Sequence, residues 1–405
     1  MVVAVSRSGL NENVRWLLKG LYLEQLLQRF FGTIAVSEQS PAFLRALPLW
    51  KHRSCPLPAE LIDCSFGPEG LKFLLERTHL SFSLTQENGL LSSFKIGCYL
   101  DREVSKKLKK LKSEGCKIFY GYEDASMLSF EQAHELGMKT VYELTIAHWE
   151  LGSSLLKEEA ARLPEWKETL SVPEIIPEKI AMKKKELELA DLIICPSNFV
   201  ASSLPQGRAR KILAPFGSPL QPEATNEERR RKLDGPLRVL FVGSMTQRKG
   251  LADLFEAINL LKGIDVELTV VGAPRASLEF YTKQAKFKYL PPCSNREILA
   301  LMKQSHVFCL PSIVEGRALV QQEAMSSELP LIITANTGGD DLISEGETGF
   351  IVPIRSPRAI AEKLAWCAEN RVELIEMGIS ARSRAATYTW QAYAEKIATE
   401  IRTLL

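Results

Sequence analysis

Short apolar runs alternate with amphipathic stretches along most of this chain, and this alternation limits the fold more than any other feature. Residues 2–6, 117–122, 139–146 and 192–196 have the length and apolar character of buried strands. Amphipathic stretches with helical spacing lie between them, and strands that alternate with helices are typical of βαβ units and a parallel sheet. The sequence therefore predicts an α/β fold with parallel sheets.

A polar, charged stretch interrupts this pattern in the middle of the chain. Residues 220–236, LQPEATNEERRRKLDGP, are flanked by prolines, and a cleaner α/β pattern restarts after them. Because 405 residues exceed the size of one typical domain, we assign two domains, 1–215 and 237–385, joined by a linker at 216–236. In such an arrangement a ligand binds in the cleft between the domains, at the carboxyl ends of the strands.

One helix is predicted over residues 12–31 of the first domain. Its apolar side chains include Trp16, Leu21, Leu27 and Phe30. Packing of this helix against its own sheet accounts for them without a membrane.

The overall charge argues against a polyanionic partner. Lys and Arg total 51 against 49 for Asp and Glu, and each half of the chain is close to balance. Without a basic domain, a nucleic-acid partner is not expected. The eight cysteines form no CxxC pair, which argues against zinc and thioredoxin-type chemistry and favours a reducing, cytoplasmic location.

Two basic runs leave peripheral membrane contact open. No stretch approaches the roughly 20 apolar residues that a spanning helix needs, so we expect a soluble or peripheral protein. The runs at 106–112, KKLKKLK, and 183–185 are either solvated helix faces or contacts with an anionic membrane surface. Solvated faces are the more common outcome for such runs.

The segment 311–330, PSIVEGRALVQQEAMSSELP, carries the most chemical information. A strand is predicted to end at Leu310 and a helix to begin near Ala318. Glu315 lies in the loop between them and Glu323 in the helix. The helix N-terminus offers unpaired backbone N–H groups to a diphosphate, and carboxylates accept hydrogen bonds from vicinal sugar hydroxyls. A nucleotide sugar, which is a diphosphate flanked by two sugars, fits this arrangement.

A second loop, 242–250 with the sequence VGSMTQRKG, places two cations just ahead of a helix. Arg248 offers a planar fork to phosphate oxygens and Lys249 a point charge, so the pair is suited to stabilise a leaving diphosphate. The alternative is a basic loop that simply precedes a helix. Taken alone, this motif does not decide between the two.

Other cofactor and metal motifs are missing from the sequence. No GxGxxG follows the first strand, as an NAD-dependent dehydrogenase would require, and neither a Walker A nor a GxSxG motif occurs. No DxD-type acidic pair follows a strand, which argues against a metal-dependent transferase. Asp340 and Asp341 follow two glycines and are expected to open a helix. We therefore expect neither a required metal nor a resident cofactor.

An ordered set of motifs resembles those of the family 4 retaining glycosyltransferases, the group 1 type with the GT-B fold. The motifs are VGSMTQRKG, TVVG, HVFCLPSIVEG with the Glu315/Glu323 pair, EAMSSELPLIIT, TGGDDLISEGETGFIVP and YTWQAYAEKI. The resemblance covers 237–405 well; in the first half ADLIICPSNFVASSL is similar and the rest matches loosely. It implies two Rossmann-like domains that face each other across a cleft, with the last helix, 389–405, crossing back onto the first domain.

The resemblance also implies roles for individual residues. Arg248 and Lys249 would hold the donor diphosphate. Glu315 would contact the hydroxyls of the transferred sugar, and Glu323 those of the ribose. The backbone at 318–320 would cap the phosphates.

Further donor-site positions follow from the same resemblance. They are glycines and apolar residues of the loops around the nucleotide: Gly9, Gly243, Gly272, Leu290, Gly316, Leu319 and Val320. His148 stands where many relatives place a histidine near the anomeric carbon. The alternative for His148 is a structurally satisfied histidine at a strand end.

Three positions depart from the family pattern. Ser244 stands where many relatives have Arg, so more of the phosphate binding would fall to Arg248. Arg317 and Ala318 replace the usual apolar–Gly pair, and Arg317 either contacts a substrate or points to solvent. Glu328 stands where the family commonly has Gly, which puts the end of the preceding helix in doubt.

The resemblance implies a transferase that moves a sugar, with retention of configuration, from a nucleotide diphosphate sugar to a hydroxyl. The acceptor would be a glycan, a lipid-linked sugar or a small molecule. Two alternatives on the same architecture are a non-hydrolysing sugar-nucleotide epimerase and a sugar-nucleotide-binding protein without transfer activity.

Overall fold

A computed structural model describes residues 1–42, 53–75, 89–170 and 176–405. Within these ranges the chain forms a seven-stranded sheet and a six-stranded sheet, and neighbouring strands in both are parallel. The predicted α/β fold with two parallel sheets is confirmed. Buried on both faces by helices, parallel strands become nearly continuous apolar runs, which explains the sequence pattern.

The N-terminal half builds the larger sheet. The strands of this half are β1 (Val3–Ser6), β2 (Leu27–Gly32), β3 (Val36–Ser37), β4 (Ser54–Cys55), β5 (Ile62–Cys64), β6 (Ile118–Tyr122), β7 (Lys139–Glu143), β8 (Leu192–Cys195) and β9 (Arg210–Leu213). Strands β3 and β4 form a separate two-stranded sheet. The sheet order is β5-β2-β1-β6-β7-β8-β9. The helices of this half are α1 (Glu12–Leu23), α2 (Gly67–Leu75), α3 (Ser93–Ser113), α4 (Met127–Glu135), α5 (Trp149–Arg162), α6 (Pro177–Leu189) and α7 (Asn198–Ser203).

The C-terminal half builds the second sheet. Its strands are β10 (Leu237–Val242), β11 (Val266–Val271), β12 (Lys288–Leu290), β13 (Val307–Leu310), β14 (Leu331–Ile333) and β15 (Gly349–Ile351), in the order β12-β11-β10-β13-β14-β15. The helices are α8 (Asn226–Arg230), α9 (Leu251–Leu260), α10 (Leu278–Thr282), α11 (Asn295–Gln304), α12 (Leu319–Ser326), α13 (Pro357–Glu369), α14 (Arg371–Ala386) and α15 (Trp390–Arg402). The strand order reverses between β10 and β13, and ligands of such sheets bind at the carboxyl ends beside that reversal.

The predicted helix over 12–31 is wrong in its second half. Helix α1 ends at Leu23, the chain turns through Gln25 with a left-handed φ of 55°, and β2 follows. Strand β2 pairs with β1 in register, with Val5 opposite Phe30, and Phe30 is fully buried. The apolar run continues across the turn, so helical spacing alone did not reveal the break. Pairing with β1 decides the strand.

The linker is partly ordered by a local motif and by one acidic residue. Thr225 caps α8 in a capping box with Glu228. Glu328 accepts two hydrogen bonds from Arg229, at 2.9 and 2.8 Å, and one from the backbone N–H of Ala224 at 3.0 Å. Glu328 itself has a left-handed φ of 55°, which explains why Gly suits this position. The ion pair with Arg229 offsets the strain of a non-glycine residue there.

An arm from the first half, residues 149–170, enters the second half. It consists of α5 and the 3₁₀ turn Pro164–Thr169. Trp166, only 2% exposed, lies in the hydrophobic core of the C-terminal sheet, edge-on to Phe255, Phe280 and Tyr281 at centroid distances of 5.9, 5.0 and 5.7 Å. The arm therefore belongs to the packing of the second domain.

The terminal helix α15 makes the opposite crossing. Its side chains Tyr393, Ile397 and Ile401 are buried in the same core as β1 and α1. The approach to α1 is close, because a Cβ atom on Gly20 would lie 2.5 Å from that of Ala394. Each half of the chain thus contributes an element to the core of the other.

Candidate functional site

Three predicted donor-site residues meet at the carboxyl ends of adjacent strands. Gly243 follows β10 and donates its N–H to Val271, while Gly272 follows β11 and donates to Leu290 at the end of β12, at 2.9 and 3.1 Å. A Cβ atom on Gly272 would lie 1.8 Å from the carbonyl oxygen of Gly243. Only glycine fits at Gly272, and the resulting close approach of the loops forms the floor of the cleft.

Arg248, Lys249 and Glu315 form one ion cluster beside the point where the strand order reverses. The loops after β10 and β13 lie against each other, and Ile313 donates its N–H to the carbonyl of Arg248 at 2.9 Å. Arg248 Nη1 lies 2.6 Å from Glu315 Oε1, and Lys249 Nζ pairs with the same oxygen. The structure therefore brings together three of the four predicted catalytic residues.

Burial makes this cluster sensitive to its charge balance. The side chains of Lys249 and Glu315 are 12% and 11% exposed. Burial lowers the pKa of Lys249, and the neighbouring Glu315 carboxylate opposes that shift. A further anion beside Lys249 would favour its protonated form, as opposite charges do at short range. The geometry suits an anionic ligand.

Helix α12 carries the second glutamate of the motif. Ala318 caps it, Leu319 and Val320 begin it, and Glu323 accepts a hydrogen bond from Asn295 Nδ2 at 2.9 Å. Burial raises the pKa of Glu323. Leu319 and Glu323 line a cavity of about 710 Å³ together with Asn295. Residues of α1, the linker and α15 complete its wall, so the cavity spans both halves of the chain.

The two halves touch at the loop that carries Glu315 and Gly316. Ser197 Oγ donates to the Gly316 carbonyl at 2.6 Å, and the N–H of Ala147 donates to the Glu315 carbonyl at 3.3 Å. A Cβ atom on Gly316 would lie 1.8 Å from the carbonyl oxygen of Thr145. Glycine at this position therefore permits the closed contact between the domains.

His148 lies one residue beyond this contact. It occupies the N-cap position of α5 without a capping hydrogen bond from its side chain, its backbone N–H donates to Ser203 Oγ at 2.8 Å, and the residue is 6% exposed. Burial lowers the pKa of the imidazole, so the ring is neutral at pH 7. A neutral ring beside the loop of Glu315 is available for hydrogen bonding to a ligand.

Gly9 lies in a different part of the cleft region. It lines a cavity of about 330 Å³ with Arg53, Glu69 and Lys72. The described lining residues of this cavity all come from the N-terminal half. The structure does not bring Gly9 into the ion cluster.

Arg317 is neither solvent-exposed nor free to reach a substrate. Its side chain is fully buried, and it donates to Asp341 Oδ1 at 2.7 Å and to Gln322 Oε1 at 2.9 Å. The guanidinium also lies 5.0 Å from the centre of the Tyr388 ring. Asp341 lies 24 residues further along the chain, so the sequence carried no signal of this pairing, which depends on the tertiary fold.

A polar network next to the cations was missed by sequence reasoning. Gln247 Nε2 donates to Glu159 at 2.9 Å and to Asp253 at 2.7 Å, and Arg162 pairs with both carboxylates. Thr169 accepts a hydrogen bond from the Gln247 N–H at 3.1 Å. The arm is thereby fastened to the residue that immediately precedes Arg248.

Several lysines of the two basic runs are engaged in ion pairs. Lys107 pairs with Asp63 at 2.8 Å, and Lys183, which is 9% exposed, pairs with Glu123 at 2.7 Å. The alternative of a solvated or membrane-facing Lys183 is therefore wrong. Among the described residues, no helix is both long and apolar enough to cross a bilayer, and no cluster of three or more acidic, histidine or cysteine side chains is arranged to hold a metal.

Two α/β halves, each built on a parallel sheet, are the architecture of the GT-B fold. Sucrose-phosphate synthase from Thermosynechococcus elongatus has this fold over 100% of the chain and 99% of its own length, with a TM-score of 0.64 and 17% identity. Anabaena Alr3699/HepE in complex with UDP matches over 99% of each chain, with a TM-score of 0.64 and 15% identity. These similarities define the fold.

Residues 223–384 match the family model described as Glycosyl transferases group 1. The chain is 32% identical over 198 residues to D-inositol 3-phosphate glycosyltransferase of Corynebacterium glutamicum (strain R), which is 44% of this chain and 47% of the relative. It is 27% identical over 201 residues to the amylovoran biosynthesis glycosyltransferase AmsK of Erwinia amylovora, 45% and 48% of the two chains. The chain spans about half the length of the curated relatives it matches.

Proposed function

We propose that this protein is a retaining glycosyltransferase that moves a sugar from a nucleotide diphosphate sugar to an acceptor hydroxyl. The observation that carries the proposal is the cluster of Arg248, Lys249 and Glu315 at the carboxyl ends of β10 and β13. Two cations on one buried carboxylate, next to a helix N-terminus, are suited to exchange that partner for a diphosphate. The group 1 family match and the names of the relatives support the same activity.

The proposed mechanism rests on this exchange of partners. A bound diphosphate takes over the contacts of Arg248 and Lys249, and Glu315 then accepts hydrogen bonds from the hydroxyls of the transferred sugar. Charge develops on the leaving diphosphate as the glycosidic bond breaks, so the two cations act mainly in the transition state. The departing phosphate takes the proton of the acceptor hydroxyl on the same face of the sugar, which retains the configuration.

The nucleoside occupies the cavity beside α12 in this proposal. Glu323 binds the ribose hydroxyls there, and the segment at Leu290 lies against the base. Solved structures of similar fold contain UDP or UDP-glucose, which makes uridine diphosphate sugars the first donors to test. Neutral His148 would hydrogen-bond the sugar close to its anomeric carbon. Catalysis needs no metal in this scheme, so transfer should persist in EDTA.

The first domain supplies the acceptor site in this proposal. Exchange of residues 1–215 for those of a relative should therefore change acceptor choice and preserve donor choice. A change of donor preference would reverse the assignment of the two domains.

The proposal is tested with labelled uridine diphosphate sugars and a panel of sugar, lipid-linked and small-molecule acceptors. A glycosylated product with the donor's anomeric configuration is expected. The substitutions Glu315→Gln and Arg248→Ala should each slow transfer by about 10²–10³-fold. Matched controls are Glu362→Gln and Arg358→Ala, two exposed residues of α13.

The outcomes of this assay are distinct. An isomerised donor without acceptor product would indicate an epimerase, and an unchanged donor that still binds would indicate a binding protein. Transfer by Glu315→Gln at the wild-type rate would contradict the central role of the cluster. Strict dependence on a divalent ion would contradict the proposed metal-free mechanism.

A further inference from the structure

The two glutamates of the donor motif are held by different kinds of partner. Glu315 pairs through one oxygen with two cations, Arg248 and Lys249. Glu323 forms no ion pair with any residue that the structure describes, and the neutral side chain of Asn295 donates to it. Burial raises the pKa of Glu323, and the hydrogen bond from Asn295 opposes this shift. Because a neutral donor does not cancel the charge of the carboxylate, Glu323 keeps its capacity to accept hydrogen bonds from hydroxyl groups.

The chemistry of this pair fixes which atoms face each other. An ionised carboxylate only accepts hydrogen bonds, so the amide presents Nδ2 to it, and Nδ2 lies 2.9 Å from Glu323 Oε1. Glu323 Oε2 and Asn295 Oδ1 form no hydrogen bond with any residue in the described part of the chain. Both residues line the cavity of about 710 Å³. The pair therefore keeps two unused acceptors for a ligand in this cavity.

Asn295 is the first residue of α11, and the backbone around it is fixed on both sides. Ser294 caps the helix in a capping box with Glu297, with hydrogen bonds of 2.8 and 3.4 Å between the two residues. Further along the helix, Met302 is fully buried in the core of the C-terminal sheet. A side chain held on a fixed helix end restricts the rotamers of the half-buried Glu323, which lowers the entropy that Glu323 loses when a ligand binds.

A ribose suits such a restricted acceptor. It carries vicinal 2′ and 3′ hydroxyls, each of which donates one hydrogen bond, whereas a 2′-deoxyribose lacks one of them. A site built to bind a hydroxyl rejects the analogue without it, because an acceptor is then left unpaired. We propose that Asn295 is a positioning residue that orients Glu323 and makes the donor site select ribonucleotides over deoxyribonucleotides. This inference rests on the proposed function, in which Glu323 binds the ribose hydroxyls.

Nucleotide binding tests the inference without an acceptor. Binding of UDP, ADP and GDP, and of their 2′-deoxy forms, to the full chain is measured by titration calorimetry, and the pair that binds most tightly is used for the variants. The wild type should bind the ribonucleotide about tenfold more tightly than its 2′-deoxy form. Asn295→Ala should weaken ribonucleotide binding by about tenfold and remove most of this preference. Pyrophosphate, which has no ribose, should bind the wild type and the variant alike.

Asn295→Asp separates positioning from a structural role. The substitution keeps the size of the side chain, replaces the donor by a second carboxylate beside Glu323, and leaves an acidic residue at a helix N-terminus, where it is favourable. Ribonucleotide binding should fall further than in Asn295→Ala, whereas the melting temperature should stay close to that of Asn226→Asp. Asn226 is a matched control, because it is also exposed and also begins a helix after a capping box.

The possible failures distinguish this inference from the function on which it rests. Wild-type affinities of Asn295→Ala for both nucleotides, or equal affinities of the wild type for the two sugars, would overturn the inference and leave Asn295 a structural contact between α11 and α12. Additive losses of ribonucleotide affinity in Asn295→Ala and Glu323→Gln would also overturn it, since residues that act together are not additive. Failure of UDP, ADP and GDP all to bind the wild type would overturn the proposed function itself, and the inference with it.

Discussion

The arm at 149–170 and the terminal helix α15 make opposite crossings between the two halves, and they are held by different forces. The terminal helix buries a row of apolar side chains, including Ile397 and Ile401. Its buried polar contacts are few: Tyr393 donates to Glu143 at 3.0 Å, and Glu400 pairs with Arg210. The arm buries one large aromatic residue, Trp166, and otherwise relies on the network of Glu159, Arg162, Gln247 and Asp253.

This difference bears on the proposed site because the arm contacts the loop 242–250, which carries Arg248 and Lys249. Gln247 hydrogen-bonds the arm and immediately precedes Arg248. Apolar packing tolerates small shifts, whereas a hydrogen-bonded network fixes a loop in one position. We infer that the terminal helix mainly stabilises the first domain and that the arm also positions the cations of the site.

The largest effect is expected for Trp166→Ala, the aromatic anchor of the arm. Removal of a fully buried tryptophan should lower the free energy of unfolding by about 3–5 kcal/mol. The loss should appear in the unfolding of the C-terminal domain, measured by denaturant titration. Trp16→Ala, at a half-buried tryptophan of α1, should cost clearly less. Equal losses in the two variants would contradict the role of the arm in the second core.

Ile397→Ala tests the terminal helix in the same way. The side chain is fully buried among residues of the first domain, so the free energy of unfolding should fall by about 2–5 kcal/mol. Native-state hydrogen exchange should show the loss in β1 and α1. Glu395→Ala, at an exposed position of the same helix, should stay within about 0.5 kcal/mol. Faster exchange in the C-terminal sheet, with β1 and α1 unchanged, would contradict the assignment of the helix to the first domain.

Gln247→Ala tests the link between the arm and the loop 242–250. The variant loses hydrogen bonds to Glu159 and Asp253 and one from the Ala252 N–H, which should cost about 1–3 kcal/mol of stability. If the link positions Arg248, kcat should also fall while the donor KM changes little. Gln206→Ala, at an exposed residue between α7 and β9, is the control. An unchanged kcat would limit Gln247 to a structural role.

The smallest effect is a pH dependence of the arm. Burial alone would raise the pKa of Glu159, but hydrogen bonds from Arg162 and Gln247 outweigh it and lower the pKa below the usual 4.5. Glu159 therefore contributes stability above its unfolded pKa, and this contribution is lost as the pH falls through the lower folded value. Thermal unfolding below pH 4.5 should show a steeper decline in the wild type than in Glu159→Gln. Parallel declines would contradict this linkage.

Local pattern was enough to predict the fold class and the most informative site motifs. Apolar stretches that alternate with amphipathic ones indicate buried strands covered by helices. This pattern is local, because it depends only on residues close together in the sequence. The motifs around Arg248 and Glu315 were recognisable because each lies where a strand ends and a loop begins. The structure brings these residues together, and their roles in transfer stay predictions.

Contacts between distant residues were not predictable in this way. The break at Gln25 inside the supposed helix 12–31 depends on pairing of β2 with β1. The burial of Arg317 depends on Asp341, and that of Lys183 on Glu123. In each case the strand or the charged side chain pairs with a residue far away in the sequence, and the spacing of apolar residues does not identify that partner.

The sequence by itself determined the α/β alternation, the division around a polar linker and the order of the strand-end motifs, since these depend on neighbouring residues. Only the tertiary structure decided that Trp166 packs in the second core and that Gln247 hydrogen-bonds the loop 242–250 to the arm. Burial selects such partners across a hundred residues or more, and the cost of leaving a buried polar group unpaired makes the selection specific.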